Sequence, residues 1–455
     1  VGEDDAMVLA EHCTLGGVLD QAVMYLKQVV SEALTGNDFR AALSCTARAL
    51  KLGAEGTVRG TLLAMEAEAH QWLGEFRAAI DSAEEALHLL PVGSKPWYRA
   101  VDALSIGCGR LLLHDRLSEL AVQLLALLDT QTESEHFSLP VLASSAVRLG
   151  MQLYICGRYK DALALLQPIE ALIDADPNPK PPALLASICV LRANRAAYEW
   201  KIDLCPDYFE QSANLLDQIG DRRAACSQRL DTALFCSDIG DFVRMERLLR
   251  EVIPVALTLN LLRVLGVSFS ALGVARWRQG HHEEALTHCQ KALAQLESLG
   301  DARQEGVCRI NLARILYSLG QFEKAHAAAL TASERLAEIP RFRVRALAWL
   351  ARIEQQRGNL DAAALAAETS LGQLRAPGRA GTDEGLVYHT VANIKLAIGQ
   401  NETAKALLAE GRTRLLRQAA AITRSEARND FLYRLTENAE LLALAAAHCP
   451  EPLPS

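Results

Sequence analysis

Two stretches forty residues apart decide the fold: Gly280-His281-His282-Glu283-Glu284-Ala285…Ala292 and Gly320-Gln321-Phe322-Glu323-Lys324-Ala325…Ala332. Each reads glycine, an aromatic residue or His two positions on, Ala five on, and a small residue seven further. The phrase recurs at Gly74-Glu75-Phe76…Ala79…Ala86 and Gly157-Arg158-Tyr159…Ala162, and more loosely at Gly240-Asp241-Phe242, Gly358-Asn359-Leu360…Ala363 and Gly399…Ala404. From Gly240 the glycines fall at intervals of 40, 40, 38 and 41. A fixed period of this size means stacked copies of one supersecondary unit.

Each copy reads as helix A, a tight turn and helix B. Gly280 suits the turn, where a residue past a helix end commonly adopts a left-handed conformation. Gly273, seven positions earlier in helix A, removes a side chain where helix B must approach. The aromatic or His and the following Ala then lie on adjoining turns of helix B. Degenerate copies are expected at Asn37…Phe39…Ala42…Ala49, at Asp115…Leu117 and over 205–213. Gly17…Leu19…Ala22 lies only half a period before Asn37, so one helix there would serve two units. Pro168 and Pro254 fall inside B helices, where kinks or early ends are expected. Polar stretches rich in Pro or Gly at 130–140, 174–182 and 375–385 read as loops.

The expected architecture is all-α: a right-handed superhelix (α-solenoid) of about ten helix-turn-helix units of ~40 residues. The expected segments are 1–130, a degenerate stretch 131–260, the regular repeats 261–411, capping helices 412–448 and a disordered tail 449–455. The composition agrees, since half of the 455 residues are apolar but only 5% aromatic. Such Ala- and Leu-rich composition favours close-packed helices over a β-rich core.

Charge is uneven. Residues 1–300 carry 27 Lys/Arg against 38 Asp/Glu, residues 301–434 carry 20 against 14, and the tail adds three acids. Neither portion reads as a nucleic-acid surface. No apolar run is long enough to span a bilayer, so no membrane partner is expected. Eleven cysteines without a Cys-x-x-Cys pair point to a reducing, cytoplasmic setting. The start, Val1-Gly2-Glu3-Asp4-Asp5, is unlike a signal peptide and reads as a piece of something larger.

The repeat phrase resembles the tetratricopeptide repeat, at about 40 residues instead of 34. Longer repeats of this kind are similar to the sensor region of large bacterial signal-transduction ATPases. The runs Leu9-Ala10-Glu11-His12, Asn37-Asp38-Phe39-Arg40-Ala41-Ala42-Leu43, Gly53-Ala54-Glu55-Gly56, Glu66-Ala67-Glu68-Ala69-His70-Gln71-Trp72-Leu73-Gly74-Glu75 and Gly93-Ser94-Lys95-Pro96-Trp97-Tyr98-Arg99-Ala100 sharpen this. Together with Phe431-Leu432…Glu437-Asn438-Ala439…Leu442, they resemble the C-terminal repeats of myxobacterial-type proteins. In that family a serine/threonine kinase and an AAA/STAND-type ATPase precede the repeats. The resemblance implies a sensing module, with an intramolecular contact to kinase and ATPase domains lying before Val1.

No enzymatic activity is expected. The chain carries no phosphate-binding loop and no kinase catalytic loop, and Gly107-Cys108-Gly109 lacks the third glycine of a nucleotide fingerprint. The cluster His281-His282-Glu283-Glu284…His288-Cys289 could place His281, Glu284 and His288 on one face, but it is better read as repeat consensus with solvated neighbours; neither metal nor cofactor is expected.

Binding is expected on the A-helix face. Aligning Gly273, Ala313, Ala351 and Ala392 puts Val274, Arg314, Arg352 and Asn393 at the next position. Arg314 and Arg352 would stack in register, with Trp277, Arg278 and Tyr317 a turn further on and Arg345 a turn before Arg352. Exposed Arg beside aromatic rings suits carboxylate or phosphate recognition. The expected partner is therefore a protein or peptide segment, acidic or phosphorylated, in a bacterial signalling protein. The competing expectations are a solvated Arg row paired with nearby Glu, a small-molecule or pheromone-peptide groove near Trp277 and Tyr317, and a self-association scaffold.

Overall fold

The computed structural model describes residues 5–129, 138–175, 179–376 and 383–449, and among these every regular element is helical. The chain falls into two compact units, Val1–Ser187 with Leu259–Leu261, and Ile188–Thr258 with Leu262–Ser455. The first holds α1 (Ala6–Leu15), α2 (Leu19–Thr35), α3 (Phe39–Lys51), α4 (Gly56–Leu73), α5 (Phe76–Leu89), α6 (Lys95–Leu111), α7 (His114–Asp129), α8 (Leu139–Ile155) and α9 (Tyr159–Ala175). The boundary runs through α10 (Pro182–Tyr198).

The second unit continues with α11 (Cys205–Gln218), α12 (Arg222–Asp238), α13 (Phe242–Thr258), α14 (Leu262–Arg278), α15 (His282–Ser298), α16 (Ala302–Ser318) and α17 (Phe322–Arg335). Then come α18 (Pro340–Gln356), α19 (Leu360–Arg375), α20 (Glu384–Ala397), α21 (Asn401–Ala421), α22 (Ser425–Asn429), a π-helical turn at Asp430–Arg434, and α23 (Thr436–His448). The fold is the all-α helical-repeat superhelix the spacing implies.

The turn between A and B helices sits in the left-handed region at every repeat glycine, with φ of 81° at Gly74, 78° at Gly157 and 84° at Gly280. The degenerate repeats keep this conformation with other residues. Asn37, Leu112 and Trp200 stand there with φ of 64°, 61° and 62°. Counting from Leu112 puts His114 at the aromatic position and Leu117, fully buried, at the Ala position. The sequence alignment that began this unit at Asp115 was therefore three residues out of phase. Counting from Trp200 likewise brings Cys205 and Ser212 to core positions, both fully buried.

Gly273 accounts for the tight A–B packing. A Cβ there would lie 2.6 Å from the Cys289 Sγ and 3.0 Å from the Ala285 carbonyl oxygen. The B-helix alanines Ala79, Ala285, Ala325, Ala363 and Ala404 are completely buried. Several helices start on a side-chain cap: Asp38 accepts from the Ala41 amide, Ser94 from Trp97, Asp221 from Ala224 and Asp301 from Gln304.

Near the start, α2 packs against both α1 and α3, as the half-period spacing implies. Pro168 and Pro254 do not end their helices, since α9 and α13 each run 17 residues through them. The boundary expected at 411/412 falls inside the unbroken α21. Most of the loop expected at 130–140, the centres of those at 174–182 and 375–385, and the tail from 450 lie outside the described residues. Among the described residues no helix is long and apolar enough to cross a membrane.

Candidate functional site: the arginine row of the second unit

The A helices of the second unit carry the residues singled out above: Trp277 and Arg278 end α14, Arg314 and Tyr317 lie in α16, and Arg345 and Arg352 in α18. The fold gathers them into one cluster. The Arg278 guanidinium lies 4.4 Å from the Trp277 ring centroid and that of Arg314 4.8 Å from the same ring. Arg352 sits 5.4 Å from the Trp349 ring. Trp349 in turn meets Trp277 and Tyr317 edge-on, with centroids 6.2 and 5.6 Å apart. These rings pack on one another edge to face.

The row differs from the sequence expectation in one respect that changes its meaning. It is neither exposed nor paired with local Glu residues, because the chain's own C-terminal segment lies across it. After α21 the backbone reaches the 3-10 turn Ile202–Leu204 just before α11, where the fully buried Asp203 accepts from the Thr423 amide at 3.2 Å, the Thr423 hydroxyl at 2.5 Å and the Arg424 amide at 3.0 Å. Arg424 also pairs with Asp207 at 3.0 Å. The π-helical turn then abuts Gly240, where a Cβ would come within 3.0 Å of the Asp430 carbonyl oxygen.

From there α23 brings two carboxylates to the arginines. Arg278 donates from Nη1 to the Thr436 hydroxyl at 3.1 Å and from Nη2 to both Glu437 carboxylate oxygens at 2.9 and 2.7 Å. One turn on, Glu440 accepts from Arg352 at 2.5 Å. Glu437 and Glu440 are three apart and therefore share a helix face. Beyond them α23 packs on α20 and α21, and the buried Asn438 side chain ties back to the Phe431 carbonyl at 2.8 Å.

Burial sets the electrostatics of the cluster. It would raise the Glu437 carboxyl, but the Arg278 charge and hydrogen bonds outweigh it and hold the pKa down at about 2. Arg345, also buried, stays above its ordinary value because Asp383, bonded at 2.6 Å, and Asp238 more than offset the desolvation. Asp203 is held below the carboxylate range, since its bonds from Thr423 and Arg424 overcome its burial. His389 is pushed down to about 3 by burial and by Arg352. The imidazole is therefore neutral, its Nδ1 accepts from Arg352 at 2.5 Å, and its 3.4 Å approach to Glu440 is not an ion pair.

Arg314 stands apart. Only 7% of its surface is exposed, its Nε has no hydrogen-bond partner, and its pKa is pushed down to about 9 by burial and by Arg278 and Arg345. Its guanidinium lies over the Trp277 ring. Among the described residues it forms no ion pair with a carboxylate, although the Glu437 charge acts on it and offsets part of the downward push.

Sequence reasoning missed Glu437, Glu440, Asp383, Asp203 and His389. The signal for the first two was present as three acids following a basic stretch, but nothing local says that residues 437 and 440 fold back onto residues 278 and 352. The His cluster lies elsewhere: His288 stacks on Phe269, and burial lowers its pKa. No group of three or more potential metal ligands gathers among the described residues.

Residues 264–338 match the family profile described as tetratricopeptide repeat. No curated protein matches the chain in sequence. Among solved structures, the Rap protein complexed with Competence and Sporulation Factor superimposes with a TM-score of 0.55 at 17% identity, covering 77% of this chain and 99% of that one. Yeast Tom70 gives 0.41 at 12% identity, over 97% of this chain and 95% of that one. The STAND protein with a tetratricopeptide-repeat sensor from Pyrococcus horikoshii gives 0.44 at 14%, over 79% and 55%. At these identities the likeness speaks for the fold alone, and of these three the Rap superposition is close enough to do so. The forty-residue helix-turn-helix period, the left-handed A–B turns and the profile match together identify a tetratricopeptide-repeat region in this chain.

Proposed function

We propose that the second unit is a non-catalytic binding and sensing module that receives an acidic or phosphorylated protein segment on its A-helix face, within a bacterial cytoplasmic signalling protein. One observation carries the reading: the chain's own Glu437 and Glu440 already occupy Arg278 and Arg352 there, at 2.7 and 2.5 Å. The face thus holds, in the folded protein, the chemistry an acidic ligand would present. Arginine in a partly desolvated cleft beside indole rings binds carboxylate or phosphate bidentately and with directionality. The Rap protein, of like fold, was solved with Competence and Sporulation Factor; a comparable binding role for this chain is part of the proposal.

The test is fluorescence anisotropy with a labelled hexaglutamate peptide, a phosphoserine-containing version and a glutamine version, against the whole chain. The expected result is binding of the first two, weakened at higher salt, and lost at least tenfold in an Arg314→Glu/Arg352→Glu variant whose circular dichroism is unchanged. Equal binding of the glutamine peptide would sink the reading.

A further inference from the structure

The C-terminal segment is attached to the second unit at points far apart in sequence. Its polar contacts span 220 residues at Asp203–Thr423, 159 at Arg278–Glu437 and 88 at Arg352–Glu440. It brings carboxylates into hydrogen-bond contact with Arg278 and Arg352, whereas Arg314, which lies between them in the order of A helices, feels the Glu437 charge without a direct contact. An occupant that contacts two of the four guanidiniums, with Arg345 answered by Asp383, leaves Arg314 without a direct partner and is an incomplete match for the surface it covers.

We propose that the segment from Thr423 to His448 is an internal ligand of the arginine row, and that an external acidic or phosphorylated segment gains the row by displacing α23. The external segment wins because it brings to Arg314 a direct carboxylate or phosphate contact that the internal one lacks. The inference rests on the acidic-segment reading above and adds regulation to it: the module is closed at rest and opens on binding. The Asp203 anchor, in the 3-10 turn before α11, bonds Thr423 and Arg424 rather than α23, so the segment can leave the row while remaining tied there. Binding energy is then set against the Glu437 and Glu440 contacts, and apparent affinity is reduced by the fraction of molecules that are closed.

The experiment pairs amide hydrogen exchange over 423–448 with anisotropy of the phosphoserine-containing peptide, both on the whole chain. In Glu437→Gln/Glu440→Gln the segment is expected to exchange at least tenfold faster and the peptide to bind at least threefold tighter. Asp203→Asn guards against a folding failure of that variant. It touches only Thr423 and Arg424 of the segment, and the same two changes in the same direction are expected from it. Peptide binding to the wild-type chain should itself accelerate exchange over 436–448, and Arg314→Gln in the loosened background should weaken binding at least tenfold. Peptide that binds wild-type and loosened chains equally, leaving exchange over 436–448 unchanged, would overturn the internal-ligand proposal while the acidic-segment reading survives. A segment that loosens in both variants with no peptide bound by any would overturn the acidic-segment reading, and the proposal with it.

Discussion

The two units use the same repeat and different ways of holding it. In the first, ion pairs run between neighbouring elements: Arg99 to Glu68 at 3.2 Å, Arg148 to Asp102 at 2.7 Å and Arg116 to Glu84 at 2.6 Å, none spanning more than 46 residues. Such a unit behaves as repeat proteins usually do, each helix pair leaning on the next. In the second, local pairs of the same kind occur, Arg309 with Glu305 at 2.9 Å among them, but the buried Arg278 is tied to a carboxylate 159 residues away. The difference teaches that repeat consensus fixes the scaffold, whereas cooperativity across the scaffold is decided by what lies over its A-helix face.

The largest effect that tests this contrast is at Glu437. Removing its charge leaves Arg278 buried and unpaired, and the side chains of this pair are only 9% and 13% exposed. Glu437→Gln is expected to destabilise the second unit by about 3–5 kcal/mol in urea denaturation. Hydrogen exchange should show the loss across α12 to α23 and leave α4 to α9 unchanged. A loss shared by the first unit would end the distinction between the two.

The same pair gives a pH dependence. The folded carboxyl titrates at about 2 against an ordinary value of 4.5. Because the folded pKa is depressed, the stabilisation is complete above 4.5 and disappears as pH falls toward 2. It amounts to about 3 kcal/mol from the size of the shift. The difference in urea midpoint between wild type and Glu437→Gln should therefore be widest at pH 5 and narrow steadily below pH 4.5. A constant gap would show that Glu437 acts by shape alone.

A smaller effect measures what the units share. Gly157 and Gly280 hold φ of 78° and 84°, and a Cβ at either would meet nothing within 4 Å. Alanine at each is expected to cost about 1–2 kcal/mol by backbone strain. The two losses should match within error by thermal denaturation, each confined to its own unit. The smallest effect is Arg59→Gln, which breaks a partly exposed pair with Glu85 and should cost less than about 1 kcal/mol.

The fold was legible because a forty-residue period is repeated information, written seven or more times. Where it faded, at Leu112 and Trp200, the backbone kept the left-handed turn while the glycine that advertises it was gone. The arginine row was legible by register, since aligned positions on successive A helices must share a face. Its occupancy was not. Helical periodicity carries no term linking residue 278 to residue 437, and residues 412–448 read as end-capping helices. The uneven charge was the one trace of the relation, a basic stretch answered by the acids that follow it, and it was assigned to a partner from outside.

The span between Arg278 and Glu437 has a consequence in time. A chain made from its N-terminus at roughly 5–20 residues per second exposes Arg278 some 159 residues before its counter-charge. That interval is about 8–30 seconds, long compared with the microseconds a helix pair needs to form. During every round of synthesis the repeats can stack while their cations still face solvent. Residues 423–448 then convert an open array into a closed one when they emerge, so the maturation of this unit waits on a segment made well after the arginines it covers.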